Sequence, residues 1–367
     1  MPLITAQVDC RIYDSFRVQQ VAGLFDVPLA ERARDKFEVE VPAADEPWQI
    51  GLIVGPSGSG KSTIARQVYG DDLDTGTSWK TEQAVIDGFG ALPIKRVTSL
   101  LTAVGFSSPP AWIKPYHVLS GGERFRCDLA RALSRGMSIK GAGSQKPIVA
   151  FDEFTSVVDR TVAQVGSAAV SKAIRGGLVG CRFVAVTCHY DVAEWLEPDW
   201  VVDMATRQCQ RRRLRRPKIR LELHRCQYAA WRLFARHHYL SGSLSKSARC
   251  YLASWQGAPV GFCAVIPLIG RRRHWRITRL VTLPDFQGIG IGMRLAEAVA
   301  DQYIAQGLRM NITSSHPALI AHCCRSPRWR TVRVQKSGSN SARRFIHNYR
   351  SSLGRAVVSF EYATKET

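Results

Sequence analysis

The chain has ten cysteines but no pair at C-x-x-C spacing, which excludes a zinc knuckle built from sequence-local thiols. The adjacent Cys323 and Cys324 cannot make one by themselves. Reduced thiols in a cytoplasmic protein are therefore expected. No apolar run approaches the roughly 18 residues that suggest a membrane-spanning helix, and there is neither a basic leader nor a signal-peptide core, so a soluble chain is expected. Acidic residues are scarce in one half only. Residues 1–206 hold 21 Lys+Arg against 24 Asp+Glu, whereas residues 207–367 hold 30 against 6. The net charge of +21 thus arises entirely in the second half. Surface solvation accounts for any single Lys or Arg but not for this asymmetry. It implies a polyanionic partner such as nucleic acid, with an anionic membrane surface as the alternative. At 367 residues the chain suits two domains, each able to bury its own core.

The stretch Gly55-Pro-Ser57-Gly58-Ser-Gly60-Lys61-Ser62-Thr63 follows an apolar strand pattern, Ile50 to Val54, and opens into a helix pattern, Ile64 to Tyr69. Glycines let several backbone N–H groups turn toward one anion at a helix N-terminus. Lys61 supplies a point charge for β and γ phosphates, and Ser62 is placed to hold magnesium. Glycine-rich turns are often merely structural, but strand, loop, Lys-Ser pair and helix together predict nucleotide binding. Phe25, Phe37 and Trp48 are candidates for stacking on a base, each with a core role as the alternative.

Gln83 is a candidate for touching magnesium or the attacking water. A second anion surface is predicted at Leu119-Ser120-Gly121-Gly122-Glu123, which runs into an amphipathic helix start; a plain capped helix is the alternative. Pro147 to Phe151 reads as a buried strand whose tip carries Asp152, a magnesium partner, and Glu153, which orients or activates water. Asp159 follows in Ser156-Val-Val-Asp159, and His189 follows the next apolar strand, Cys181 to Thr187. His189 suits a γ-phosphate contact or a satisfied loop position.

Residues from about 48 to 204 resemble an ABC-type ATPase domain. The stretch Gly55 to Thr63 matches its Walker A motif, Leu119 to Glu123 its signature, Ile148 to Glu153 its Walker B motif, Ser156 to Asp159 its D-loop and His189 its switch histidine. The resemblance implies ATP sandwiched in a homodimer, bound by Gly55, Ser57, Gly58, Gly60, Lys61, Ser62, Thr63, Ser120, Gly121, Gly122 and Asp159. Only 59 residues separate Lys61 from Ser120, a short helical insert for a transporter, so no membrane partner is expected.

The basic half begins at Arg207 with a run containing Arg211, Arg212 and Arg213, read as a linker over residues 207–218 that could track a phosphate backbone. Arg271, Arg272 and Arg273 lead into His274-Trp275-Arg276, a composition suited to holding phosphates and stacking on bases, with an exposed hairpin loop as the alternative. Arg343 and Arg344 add to a basic C-terminal stretch. Between them, Trp275 to Leu283 reads as a strand, followed by Pro284-Asp-Phe-Gln287-Gly288-Ile-Gly290-Ile-Gly292 and a helix. This second strand, glycine loop and helix lacks a Lys-Ser pair, so it suits a pyrophosphate held by backbone N–H groups.

Residues from about 217 to 367 resemble the GNAT acyltransferases, whose coenzyme A loop Gln287 to Gly292 fits. The resemblance implies acetyl-CoA or a related acyl-CoA bound by Val281, Leu283, Gln287, Gly288, Gly290 and Gly292, with transfer to a nucleophile. His316 is the candidate base, with a structural hydrogen bond as the alternative; His238 and Tyr239 are further candidates. The segments His237 to Gly242 and Thr313 to Ile320 resemble Mom-type DNA-modifying enzymes of phages. The expected architecture is an α/β P-loop ATPase domain over residues 1–206, followed over residues 219–367 by an α+β GNAT-like domain with a mixed central sheet. The expected activity is ATP hydrolysis with acyl transfer to DNA or tRNA. A non-catalytic docking module, or an acceptor that is a small-molecule or protein amine, is the alternative.

Overall fold

A computed structural model describes residues 1–25, 32–76, 78–138, 146–211, 218–238, 243–337 and 355–363. The chain divides into two compact units, Met1–Ser78 with Asp128–Arg216 and Trp79–Cys127 with Pro217–Thr367. The sequence boundary at residue 206 leaves the insert of residues 79–127 with the first domain; here it groups with the second.

The first unit opens with β1 (Leu3–Arg11), α1 (Phe16–Phe25) and β2 (Arg32–Glu40), the two strands pairing antiparallel. Then come β3 (Ile50–Val54), α2 (Lys61–Tyr69) and β4 (Leu73–Asp74), and, after the insert, β5 (Ile148–Phe151), α6 (Arg160–Arg175), β6 (Arg182–Thr187), α7 (Ala193–Leu196), β7 (Trp200–Asp203) and β8 (Gln208–Arg211). The strand order β4-β5-β6-β3-β7-β8 is parallel except for the antiparallel edge strand β8. Strands β3 and β6 are buried along their whole length, as the unbroken apolar run of β3 requires of a central parallel strand. Trp48 meets Trp200 edge-on at 5.5 Å in this core and donates its indole N–H to the Ala43 carbonyl, so it is a core residue and not a platform for a base.

The second unit contains α3 (Ile94–Ala103), α4 (Pro109–Trp112) and the start of α5 (Gly121–Ser138), a helix whose residues from Asp128 onward belong to the first unit. After the insert come β9 (Glu222–Cys226), α8 (Trp231–Phe234), β10 (Arg249–Trp255), β11 (Ala258–Pro267), β12 (His274–Thr282), α9 (Ile291–Ile304), β13 (Arg309–Ser314), α10 (Pro317–Arg325), β14 (Trp329–Ser337) and β15 (Arg355–Tyr362). They form one seven-stranded mixed sheet in the order β14-β15-β13-β12-β11-β10-β9, antiparallel except for β12 with β13. Strands β12 and β13 pair only over His274 to Ile277 and Arg309 to Ile312. Beyond Ile277, β12 runs on unpaired on that side, so the sheet splays open toward the C-terminal ends of both strands. Trp231, Phe234, Phe262 and Val281 pack on one another beside β12.

Candidate functional site

The first cradle is shaped by backbone geometry that glycine supplies. Gly58 and Gly60 have φ of 79° and 84°, a region costly for other residues, and Gly60 is the residue from which α2 starts. The first N–H groups of α2 therefore point into the loop, with no partners inside the helix. Lys61 is buried and donates to the Pro56 carbonyl at 2.7 Å, folding the charge back over the loop. Ser62 donates to Asp152 Oδ1 at 3.0 Å, so the two predicted magnesium partners stand side by side across ninety residues of chain. Among the described residues no group of three His, Cys, Asp or Glu is placed to hold a metal. The Ser62 hydroxyl and the Asp152 carboxylate are instead a hard-oxygen pair that fits a magnesium ion completing its shell from phosphate and water.

Asp152 is fixed in turn, its backbone N–H donating to Asp74 O at 2.9 Å while Oδ1 accepts from Glu153 N at 2.9 Å. Glu153 is exposed with φ of 49°, and the fully buried Thr155 has φ of 69°. Two non-glycine residues held there so close together store strain of order 1–3 kcal/mol each. The reward is visible at His189, whose Nδ1 lies 3.3 Å from Thr155 Oγ1 and whose N–H donates to Thr187 Oγ1. Burial lowers the His189 pKa, and Arg160 lowers it further, against the opposing charges of Asp191 and Glu153. The shift favours the uncharged imidazole at neutral pH. Nothing in the sequence singles out Thr155, since only its backbone angle marks it. Asp159 caps α6, accepting from Val162 N at 3.0 Å. Phe37 lies against the loop, its ring 2.5 Å from where a Cβ on Gly60 would stand, whereas Phe25 is 73% exposed on α1.

The second predicted anion surface is a capping box. Ser120 donates N–H and hydroxyl to Glu123 Oε2 at 2.9 and 3.0 Å, and Glu123 N donates back to Ser120 Oγ. Ser120 and Gly121 are exposed and Gly122 is half-buried at the start of α5. Gln83 donates to Asp87 O at 3.0 Å.

In the second unit, the glycine loop after β12 has Gly288 at φ 90° and Gly290 at φ 99°, and α9 starts from Gly290. Gly292 lies in the opening turn, too close to Thr282 Oγ1 to carry a Cβ without displacement. The resemblance points to backbone groups of Val281 and Leu283, and the ladder corrects this. Leu283 N donates to Val260 O at 3.0 Å and Val281 pairs with Phe262, so both face β11. Alternation along the strand turns the backbone groups of Leu280 and Thr282 toward the splay. Gln287 is held at both ends, Nε2 donating to Thr282 O at 3.0 Å and Oε1 accepting from Ser107 N at 2.9 Å.

His316 precedes α10, and its Nε2 lies 3.3 Å from Ser107 O, which assigns the hydrogen to Nε2 and the lone pair to Nδ1. Burial lowers its pKa, the Ser107 hydrogen bond opposing. His238 stands edge-on to Trp231 at 5.9 Å, while Tyr239 lies outside the described residues.

Of the basic candidates, Arg271, Arg272 and Arg273 are exposed in the hairpin loop between β11 and β12. Their neighbour Trp275 is packed between Arg249, 4.3 Å above its ring, and Tyr303, so it does not serve as a stacking surface. Arg211 is ion-paired with Glu46. Arg212, Arg213, Arg343 and Arg344 lie outside the described residues. No described helix is long and apolar enough to cross a membrane.

Residues 217–321 match the model of the acetyltransferase (GNAT) family. The chain is 30% identical over 139 residues to the zinc import ATP-binding protein ZnuC of Pseudomonas fluorescens, a match covering 32% of this chain and 51% of that protein. The chain thus spans about half the length of the curated relative it matches. Among solved structures, an IAA acetyltransferase from Bacillus cereus is 14% identical, covering 39% of this chain and 99% of its own, with a TM-score of 0.31. A dimeric ATP-binding cassette in a post-hydrolysis state, bound to ADP and Pi, is 18% identical, covering 49% and 89%, with a TM-score of 0.37. The chain joins an ABC ATPase-like domain to a GNAT acetyltransferase domain.

Proposed function

We propose that this is an ATP-hydrolysing ABC-type protein whose acetyl-CoA-dependent acyltransferase domain acts on nucleic acid, at a DNA base or on tRNA. The observation that carries the reading is one chain holding two strand, glycine-loop and helix sites, the second within a half that has 30 Lys+Arg against 6 Asp+Glu.

In the nucleotide half, Lys61 and the N–H groups of the Gly55 to Thr63 loop bind phosphates, and Ser62 and Asp152 hold magnesium. Glu153 orients the attacking water, and neutral His189, kept in place by Thr155, donates toward the γ-phosphate. Phe37, beside the loop, is the aromatic best placed for the base. Exposed Ser120 and Gly121 suit a homodimer in which they close on the loop of a second copy.

In the acyl half, acetyl-CoA supplies a thioester that an acceptor amine attacks, the C–N bond forming as C–S breaks and coenzyme A leaving as the thiol. The N-terminus of α9 receives the pyrophosphate, and the backbone groups of Leu280 and Thr282 orient the extended arm within the splay. His316, neutral with its lone pair on Nδ1, is the candidate to take the amine proton. The Arg271 to Arg273 loop supplies phosphate contacts.

Filter binding at moderate salt, with and without ATP, tests the acceptor class. Retention of DNA or RNA that falls as salt rises is expected, and no retention of either would end the nucleic-acid reading. The engagement of His316 by Ser107 favours a second reading, a GNAT-like half that docks nucleic acid without acyl transfer. It predicts intact ATPase activity with no acetyl-CoA binding by calorimetry.

A further inference from the structure

The mouth of the splay between β12 and β13 has two lips. One is the loop after β12, which carries Gln287; the other is the turn after β13, which carries His316. A single residue of the insert spans them. Ser107 donates its N–H to Gln287 Oε1 at 2.9 Å, and its carbonyl oxygen receives the hydrogen of His316 Nε2 at 3.3 Å. Two residues earlier, Gly105 sits with φ of 87° so close to the loop that a Cβ there would stand 2.8 Å from the Gln287 carbonyl oxygen. Nearby, Arg126, which is 1% exposed, lies 3.6 Å from Asp285 of the same loop.

This segment is firmly seated in the insert. It is the C-terminal exit of α3, where Gly105 N donates to Thr102 O and Phe106 N to Leu101 O at 2.8 Å. The Phe106 side chain is buried, and its carbonyl takes the Trp112 indole N–H at 2.9 Å. The segment is therefore tied to the insert by its own hydrogen bonds, and Arg126 lies in the first turns of α5.

We propose that Gly105 to Ser107 is a strap across the mouth of the acyl-CoA cleft, closing it by bonding Gln287 and His316, and that acyl-CoA has to displace it. The proposal rests on the acyl-CoA reading above. Gln287, on the loop that receives the pyrophosphate, exchanges Ser107 for the ligand, and the Nε2 hydrogen of His316 is released from the Ser107 carbonyl only when Ser107 leaves. The strap thereby makes the insert the element whose position sets access to the acyl site.

The test uses the full chain. Ser107→Pro removes the N–H held by Gln287, and Gly105→Ala adds a methyl that the close approach excludes; neither alters a residue of the cleft. With each, acetyl-CoA titrated by calorimetry binds roughly 5- to 100-fold tighter than to the wild type, the worth of one to two hydrogen bonds no longer broken. In the unaltered protein, saturating acetyl-CoA speeds hydrogen exchange at the Ser107 amide, the one donated to Gln287, while the Gly105 and Phe106 amides, bonded within the insert, keep their protection. Equal or weaker binding by the variants, or a Ser107 amide that becomes more protected or stays unchanged, overturns the strap while leaving the acyl-CoA reading standing. No acetyl-CoA binding by any of the three proteins overturns both.

Discussion

Replacing Gly60 and Gly58 by alanine separates backbone strain from crowding in the nucleotide cradle. Both glycines sit at nearly the same φ, so Ala costs about 1–2 kcal/mol at each, less about 0.4–1 recovered from a stiffer unfolded chain. A methyl added at Gly58 meets nothing within 4 Å, whereas one at Gly60 meets three atoms of the Phe37 ring at 2.5 to 2.7 Å. Displacing that ring adds about 1–3 kcal/mol of overpacking. Gly58→Ala is therefore expected to cost about 1 kcal/mol or less and Gly60→Ala about 2–4 kcal/mol. Urea unfolding followed by circular dichroism reads both, and ATP titration should show the larger loss for Gly60→Ala. Adding Phe37→Ala to each closes a double-mutant cycle, and it should recover most of the excess only in the Gly60 background. Equal costs for the two glycine variants, or no coupling to Phe37, would refute the packing argument.

Lys61→Ala should abolish ATP binding measured by equilibrium dialysis, because no other described cation lies in the loop, while Glu153→Gln should bind ATP, stop hydrolysis and accumulate a dimer on gel filtration. Stability should fall with acid: His189 and His316 are both held below the ordinary value near 6.5, chiefly by burial. Below about that pH the unfolded chain takes up protons that the fold resists, so stability is full above it and declines as pH drops toward the folded values. His316→Asn should flatten that decline, and a slope unchanged by it would remove His316 from the account. Replacing Arg271, Arg272 and Arg273 by alanine should reduce the slope of log affinity for DNA against log salt by about 0.9 for each phosphate no longer neutralised.

Local chemistry is legible in the sequence wherever glycine and its neighbours dictate backbone shape. The loops at Gly58 and Gly60 and at Gly288 and Gly290 are visible because only glycine adopts those angles freely, and each lies between an apolar strand and a helix. Asp152 is visible as the polar end of a buried run. What stays hidden depends on pairings across long stretches of chain. Ser107 meets Gln287 and His316 across roughly two hundred residues, and nothing in a short serine-rich turn announces it. Arg211 reads as a free cation until Glu46 is found beside it. The choice of Leu280 and Thr282 over Val281 and Leu283 turns on strand register, where a shift of one residue reverses every backbone group. Trp275 reads as exposed because charges surround it in sequence, although its ring faces Tyr303.

The most direct test of the account supplies the protein with ATP, magnesium, labelled acetyl-CoA and a mixture of DNA, tRNA, protein and small amines, and asks which fraction carries label. The account predicts label in nucleic acid, lost on nuclease treatment and absent with Gly290→Glu. Label confined to protein or small amines and indifferent to nuclease would contradict it.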